Sequence, residues 1–245
     1  MHELETFIIT LPGNRQVSAI RVGADCDPAE LVSTLKLPKA DGVMLLVGGA
    51  GFASSNVLER MSGFFNALAE VLVRLNITVI DGGTDAGVMA LMGRALLEKG
   101  RHAPHIGILP AKAQVDESGL LAEEIPEPHH SHLVFVDSDQ WGGETAMMNS
   151  LFRFISSNVP ALVVLVNGGQ IALKEIELCV REAYDIAVVR GSGRLADEIA
   201  NEMQHPNPNA RSVIKNIAKK GKLALISLSA SVEEIEKIFS QKKRG

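Results

Sequence analysis

Hydrophobic residues along this chain occur in short unbroken runs, most of them followed by a glycine-rich turn and then by apolar residues at helical spacing. An unbroken apolar run of strand length is typical of a strand buried on both faces, and the periodic stretch is typical of an amphipathic helix. Strands are predicted on this basis at residues 43–47, 133–136, 161–166, 186–189 and 223–226, and also at 77–80 and 105–109, where Thr78 and His105 stand among the apolar residues. The alternation predicts an α/β fold with a doubly wound, mainly parallel sheet and helices on both of its faces.

The N-terminal residues follow a different pattern. Apolar runs at 7–10 and 17–22 flank the turn-forming sequence Leu-Pro-Gly-Asn-Arg, which predicts a β-hairpin at the edge of the fold. A short helix is expected over residues 28–35, with Asp27 as its N-cap and Pro28 at its first position.

The composition predicts a core of aliphatic side chains in a single domain. Of the 245 residues, 46% are hydrophobic and only 4% aromatic, so the core must consist mainly of Val, Ile, Leu, Ala and Met. No linker or shift in composition divides the chain. We therefore expect a single domain, with an extension over residues 1–40 and a core over 41–240.

Charge and cysteine content argue against several classes of function. A net charge of −5 gives no electrostatic reason to expect nucleic acid as a partner. Cys26 and Cys179 do not form a CxxC pair, so neither a disulfide framework nor a thiolate metal site is indicated. The N-terminus lacks the basic start of a signal peptide, and the apolar runs are shorter than the roughly 20 residues of a membrane helix. We expect a cytoplasmic protein that does not span a membrane.

Glycine-rich turns follow four of the predicted strands, at 48–51, 82–87, 168–169 and 191–193. Ligands of doubly wound sheets bind at the carboxyl ends of the strands, where glycine lets the backbone approach a ligand and the start of a helix favours an anion. Arg194 could add a forked contact to a phosphate. A single turn of this kind could be purely structural, but together they predict a nucleotide-like ligand, and the first turn contributes Gly48, Gly49 and Gly51.

Several carboxylates follow a predicted strand or a pair of glycines. Asp137 and Asp139 follow a predicted strand, where a carboxylate can bind ribose hydroxyls or a cation, or can cap the following turn. Glu144 and Glu175 are the best candidates for acid/base chemistry. Their alternative role is favourable placement of an acid near the start of a helix.

Three histidines cluster at His129, His130 and His132, with the last two on one face if the strand begins there. A metal site is one interpretation. No further Cys or His follows at ligand spacing, however, so we interpret them as polar residues that line a cleft or the start of a strand, and we expect no required metal or cofactor.

Four segments and the second glycine turn resemble a known family: His130–Asp137, Trp141–Glu144, Val164–Gly169, Val188–Asp197 and Asp81–Met89. They are similar to the SLOG domain at the cytoplasmic N-terminus of melastatin-type TRP channels. The resemblance implies a Rossmann-like fold that binds ADP-ribose or another NAD derivative, and we expect a free-standing prokaryotic relative. In prokaryotes, such domains are proposed to sense a nucleotide and to signal to an effector protein. The implied ligand contacts are Gly82, Gly83, Thr84, Gly87, Gly168, Gly169, Gly191, Ser192, Gly193 and Arg194.

The wider superfamily includes the LOG-type phosphoribohydrolases, whose Pro-Gly-Gly-x-Gly-Thr-x-x-Glu motif aligns with Asn167–Glu175. This chain keeps the glutamate but lacks the proline, the third glycine and the threonine. Glu144 aligns with the arginine of those enzymes, and an acid cannot replace a guanidinium that binds phosphate. The resemblance therefore implies binding more than catalysis.

The function expected from the sequence is nucleotide sensing. Phosphates would contact the glycine turns and Arg194, and a strand-end carboxylate such as Asp137 would bind ribose. One alternative is an N-glycosidase in which Glu175 stabilises the ribosyl cation. Another is an oligomeric scaffold for a protein partner, and we expect a homo-oligomer because related folds often dimerise through the helices that cover the sheet.

Overall fold

A computed structural model describes residue 4 and residues 6–49, 55–111 and 126–241. These residues form one nine-stranded sheet in the order β1-β2-β6-β5-β4-β3-β7-β8-β9. The strands are β1 (Thr6–Leu11), β2 (Arg15–Val22), β3 (Gly42–Gly49), β4 (Ile77–Asp81), β5 (His105–Pro110), β6 (His132–Val136), β7 (Ala161–Asn167), β8 (Asp185–Arg190) and β9 (Lys222–Ser227).

Eight helices among the described residues connect or follow these strands. They are α1 (Pro28–Leu35), α2 (Ser55–Arg74), α3 (Gly87–Glu98), α4 (Thr145–Ser156), α5 (Gln170–Arg181), α6 (Arg194–Gln204), α7 (Ser212–Lys220) and α8 (Val232–Gln241). Buried residues of α1, α4, α5, α6 and α7 share one core with the sheet. Those of α2, α3 and α8 pack on the other face. The doubly wound α/β prediction is confirmed.

The N-terminal hairpin is also confirmed. Strands β1 and β2 are antiparallel, and β2 then pairs in parallel with β6, so the hairpin extends the main sheet. The Asp27 carboxylate accepts a hydrogen bond from the backbone N–H of Ala29 at 3.0 Å, and Pro28 begins α1, as the sequence predicts.

Strand order reverses at β3. From β3 the chain builds β4 and β5 on one side and reaches β6 beyond them, then crosses back to place β7 directly against the other side of β3. In open α/β sheets such a reversal leaves a crevice at the carboxyl ends of the two central strands. The crevice here lies where Gly49 of β3 pairs with Asn167 of β7.

Gly48 shows how closely the two central strands approach at this point. A Cβ atom on Gly48 would lie 2.0 Å from the carbonyl oxygen of Val166 on β7. Only glycine fits there without separating the strands. On Gly49 a Cβ would have no described atom within 4 Å, so this end of β3 opens toward the crevice.

Candidate ligand-binding site

The start of helix α5 forms one wall of the crevice. Strand β7 ends at Asn167, Gly168 and Gly169 turn the chain, and α5 begins at Gln170 with no side chain capping its N-terminus. The first N–H groups of a helix lack partners within the helix, and the helix dipole favours negative charge there. This end of α5 is therefore suited to bind an anion.

Arg194 approaches the same helix end from the neighbouring loop. A Cβ on Gly169 would lie 2.9 Å from Nη2 of Arg194, so the guanidinium lies against the backbone that starts α5. Arg194 has a left-handed backbone conformation, with φ +47°, which is costly for a residue other than glycine. The fold thus places a fixed positive charge beside the N-terminus of α5.

Asn167 and Ser192 hold the two loops together. The Asn167 backbone N–H donates to Oγ of Ser192 at 2.7 Å, and its Nδ2 donates to the Ser192 carbonyl at 2.8 Å. The Ser192 hydroxyl in turn donates to the carbonyl of Val189 at 2.6 Å. Both side chains are buried. They fix the position of the Arg194 loop rather than offer free groups to a ligand.

Asp197 binds two backbone N–H groups of the glycine turn at residues 191–193. Its carboxylate accepts hydrogen bonds from the N–H groups of Gly191 and Gly193, the latter at 3.1 Å. The sequence predicts that these glycines contact the ligand. In the structure the N–H groups of these glycines already donate to Asp197. The start of α5 and Arg194 are therefore better placed to bind an anion.

Replacing Asp197 by alanine is expected to lower the free energy of unfolding by about 1–2 kcal/mol, because two backbone N–H groups lose their acceptor. Urea denaturation measures the change. Glu198→Ala is the matched control, since this exposed neighbour pairs with Arg211 on the surface and such a pair contributes about 0–1 kcal/mol. Equal effects of the two substitutions would contradict this role for Asp197.

Glu144 and Glu175 form a buried pair of carboxylates at the same end of the sheet. Glu144 precedes α4, Glu175 lies in the second turn of α5, and both helices pack against β3. Their exposed fractions are only 5% and 9%. Burial and the nearby Glu144 carboxylate raise the pKa of Glu175 to about 7, against a hydrogen bond from Thr145 that lowers it. The pair therefore holds a proton near neutral pH.

Glu175→Gln is expected to stabilise the protein at alkaline pH. The folded state binds a proton at Glu175 more tightly than the unfolded state, whose pKa is near 4.5, so the stability that this proton contributes is lost as the pH rises from 4.5 to 7. The glutamine variant avoids that loss. Thermal unfolding should show a higher Tm than wild type at pH 8 and a difference that shrinks toward pH 4.5. A Tm below wild type at pH 8 would contradict a buried carboxylate whose ionisation destabilises the folded state.

The second glycine turn lies over a buried polar cluster. The backbone N–H of Gly83 donates to Oδ1 of Asp81 at 2.8 Å. The two Asp81 oxygens lie 2.8 Å and 2.9 Å from the Nε2 atoms of His105 and His130. One ligand atom from each of these three residues lies within 4.8 Å of the others, so they could in principle hold a metal ion.

Comparison with known proteins identifies the family. The LSDAT_prok family model, described as "SLOG in TRPM, prokaryote", matches residues 41–236. The chain belongs to this family. The resemblance to the SLOG domain of melastatin-type channels is therefore confirmed.

Curated relatives of this SLOG chain are channel proteins. The Transient receptor potential cation channel subfamily M member 2 of Mus musculus is 26% identical over 196 residues, covering 64% of this chain and 13% of the channel. The subfamily M member-like 2 channel of Nematostella vectensis is 24% identical over 237 residues, covering 79% of this chain and 15% of the channel. The chain spans a small part of the length of these relatives.

A solved structure supports the SLOG chain's fold. The X-ray structure of TM1055 covers 82% of this chain and 99% of its own, with a TM-score of 0.54 and 23% identity. Likeness at this identity shows the fold alone, and it agrees with the Rossmann-like prediction. No helix among residues 6–49, 55–111 and 126–241 has the length and apolar character needed to cross a membrane.

The SLOG fold brings together most of the residues predicted for the site. Gly48, Gly49, Gly168, Gly169 and Arg194 meet at the crevice, and Glu144 and Glu175 lie on the helices beside it. The turn from Gly82 to Gly87 follows the adjacent strand β4. Gly51 lies outside the described residues, as does most of the predicted loop between residues 111 and 128.

Asp137 does not join the Arg194 loop. It follows β6, which is five strands from β8, and this corresponds to about 24 Å at the usual strand spacing. The ribose contact predicted for Asp137 would therefore need a ligand that crosses most of this edge of the sheet. Glu144 and Glu175 are closer acceptors for a ligand bound at Arg194.

The histidine prediction requires one correction. His130 and His132 do not share a face of a strand, because β6 begins at His132 and His130 precedes it. The ring of His130 is buried against Asp81 and His105, whereas His132 hydrogen-bonds Ser131 at 2.9 Å. The cluster is thus built from residues that are distant in sequence.

Proposed function

We propose that this SLOG chain binds a nucleotide-derived ligand, with ADP-ribose and other NAD derivatives as the first candidates, and signals its presence to an effector protein. The observation that carries the proposal is the Arg194 guanidinium beside the uncapped start of α5, at the point where strand order reverses. A diphosphate combines the charge and the oxygen geometry that these two groups recognise. Resemblance to the melastatin channels supports ADP-ribose as the nucleotide.

The carboxylate pair suggests how the rest of the ligand is oriented. Glu144 and Glu175 lie beside the crevice and would repel a phosphate, whereas carboxylates accept hydrogen bonds from ribose hydroxyls. The ligand would thus place its phosphates at Arg194 and a ribose toward the two glutamates. This arrangement assigns different parts of one ligand to oppositely charged sides of the crevice.

Thermal unfolding with a panel of nucleotides tests the proposal. A ligand at 100 times its Kd raises the free energy of unfolding by about 2.7 kcal/mol, which shifts Tm measurably. We expect a shift with ADP-ribose or an NAD derivative and none with ribose alone. Absence of a shift with ADP-ribose, cyclic ADP-ribose, NAD and AMP at millimolar concentration would contradict the proposal. Mass photometry with and without ADP-ribose tests whether binding changes a homo-oligomer.

Glu175 supports a second candidate function, N-glycosidic cleavage of a nucleotide. A carboxylate with a pKa of about 7 can be ionised when the base leaves and can stabilise the positive charge on ribose. The base departs with the bonding electron pair, water adds to the ribose carbon, and the proton that the water loses goes to the departing base or to solvent. Chromatography should then detect free base from NAD or a nucleoside monophosphate, lost in Glu175→Ala. No base release from any of these compounds would exclude this function.

A further inference from the structure

A network of buried polar residues supports the turn from Gly82 to Gly87. Asp81 ends β4, His105 begins β5 and His130 precedes β6, and all three side chains are fully buried. The two imidazole rings stack, with their centroids 3.7 Å apart. Glu127, also fully buried, lies on the far side of His130.

The hydrogen-bond partners of His130 show which of its ring nitrogens carry a proton. Its Nε2 faces Oδ1 of Asp81 at 2.9 Å, and its Nδ1 faces the carbonyl oxygen of Glu127 at 3.1 Å and Oε2 of the same residue at 2.9 Å. A carbonyl and an ionised carboxylate can only accept hydrogen bonds. Both ring nitrogens must therefore donate, so His130 is an imidazolium.

The hydrogen bonds of His105 indicate that this cluster holds protons rather than a metal ion. Its Nε2 donates to Oδ2 of Asp81, and its buried Nδ1 has no partner among the described residues. With Nε2 protonated, Nδ1 is an unused acceptor. A metal ion on Nε2 would instead require a hydrogen on Nδ1, and a buried donor without an acceptor is the rarer and more costly arrangement.

The surrounding charges agree with this assignment. Burial alone would lower the pKa of His130, but Asp81 and Glu127 raise it to about 9. Burial and the charge of His130 lower the pKa of His105 to about 4, against the attraction of Asp81. Among the described residues, the other ionisable groups that act on the cluster are Arg101, which acts on Glu127 and His105, and His129, which contacts Glu127.

The network is bonded directly to the glycine turn. Gly83 donates its N–H to Asp81 and accepts the N–H of Glu127 on its carbonyl at 2.8 Å. Other glycines make room for the network: a Cβ on Gly93 would lie 2.3 Å from the Glu127 carboxylate, and one on Gly107 would lie 3.0 Å from the ring of His130. The N–H and the carbonyl of Gly83 are therefore both bonded to residues that contact His130, namely Asp81 and Glu127.

We propose that His130 is a positioning residue: as an imidazolium between Asp81 and Glu127, it fixes the Gly83 backbone and thereby the ligand-binding conformation of the turn. His130 does not itself contact the ligand. The effect on ligand affinity rests on the proposed function, whereas the protonation and the fixed turn do not.

Nuclear magnetic resonance tests the protonation and the turn without a ligand. We expect both ring N–H groups of His130 to be present at pH 7.5, and His130→Asn to accelerate hydrogen exchange of the Gly83 amide at least tenfold. His129→Gln, which removes another contact to Glu127, should leave this rate within about twofold. A neutral His130 at pH 7.5, one tightly bound metal ion per chain, or unchanged Gly83 exchange in His130→Asn would overturn the proposal.

Glu127→Gln provides a test that preserves the shape of the network. A glutamine can either donate to neutral His130 or accept from the imidazolium, so the pKa of His130 should fall while the fold is kept. Titration calorimetry with ADP-ribose should then show affinity that rises from pH 8 to pH 6 by a factor at least three times larger than in wild type, where Glu175 also titrates in this range. Identical pH profiles of the variant and wild type would overturn the positioning role. Failure of wild type to bind ADP-ribose would contradict the proposed function and leave the protonation result to stand alone.

Discussion

Replacing Asp81 by alanine is expected to lower the free energy of unfolding by about 3–5 kcal/mol, the usual cost of removing one partner of a buried charge. The substitution takes a carboxylate from between two histidines and leaves His130 with a single charged partner, Glu127. It also removes the acceptor of the Gly83 N–H. Guanidinium denaturation at pH 7.5 measures the difference.

Asp85→Ala is the matched control for this result. Asp85 lies in the same turn but is exposed at the surface, where its carboxylate is 3.8 Å from Arg94. An ion pair of that kind contributes about 0–1 kcal/mol. Loss of less than about 1 kcal/mol in Asp81→Ala would mean that the buried cluster does not hold the charges assigned to it.

Replacing Arg194 by alanine is expected to weaken ADP-ribose binding about 10- to 100-fold, because a hydrogen bond to a charged group contributes about 1.5–3 kcal/mol and each 1.4 kcal/mol is a factor of ten. Arg194→Lys should fall between alanine and wild type, since an ammonium keeps the charge but loses the fork. Titration calorimetry measures the Kd of each variant.

Arg153→Ala controls for the general loss of a positive charge. Arg153 lies in the last turn of α4, at the opposite end of the sheet, and its exposed side chain is 3.9 Å from Glu182. Its removal should change the affinity for ADP-ribose by less than about twofold. Equal losses in the Arg153 and Arg194 variants would indicate a long-range charge effect instead of a phosphate contact.

The sheet could be predicted because its strands are buried on both faces. Every residue from Leu133 to Val136 in β6, and from Ile186 to Val189 in β8, is buried, and this requires the unbroken apolar runs visible in the sequence. Local rules also sufficed for Asp27, since an N-cap contacts residues only a few positions away. Features of this kind depend on neighbours in sequence.

The buried cluster could not be predicted in the same way. Asp81 follows an apolar strand and precedes two glycines, which suggests a residue exposed to a ligand, yet its partners His105 and His130 lie 24 and 49 positions further along the chain. The separation of Asp137 from Arg194 could not be predicted for a related reason. It follows from the strand order, which local patterns do not determine.

The most direct test of where the ligand binds is an amide chemical-shift titration of the ¹⁵N-labelled chain with ADP-ribose. We expect the largest saturable changes at the start of α5, from Gly169 to Ala172, and in the loop that contains Arg194. These are the groups that the structure brings together at the reversal of strand order. Saturable changes confined to other parts of the chain, or none at millimolar ADP-ribose, would contradict the proposed site.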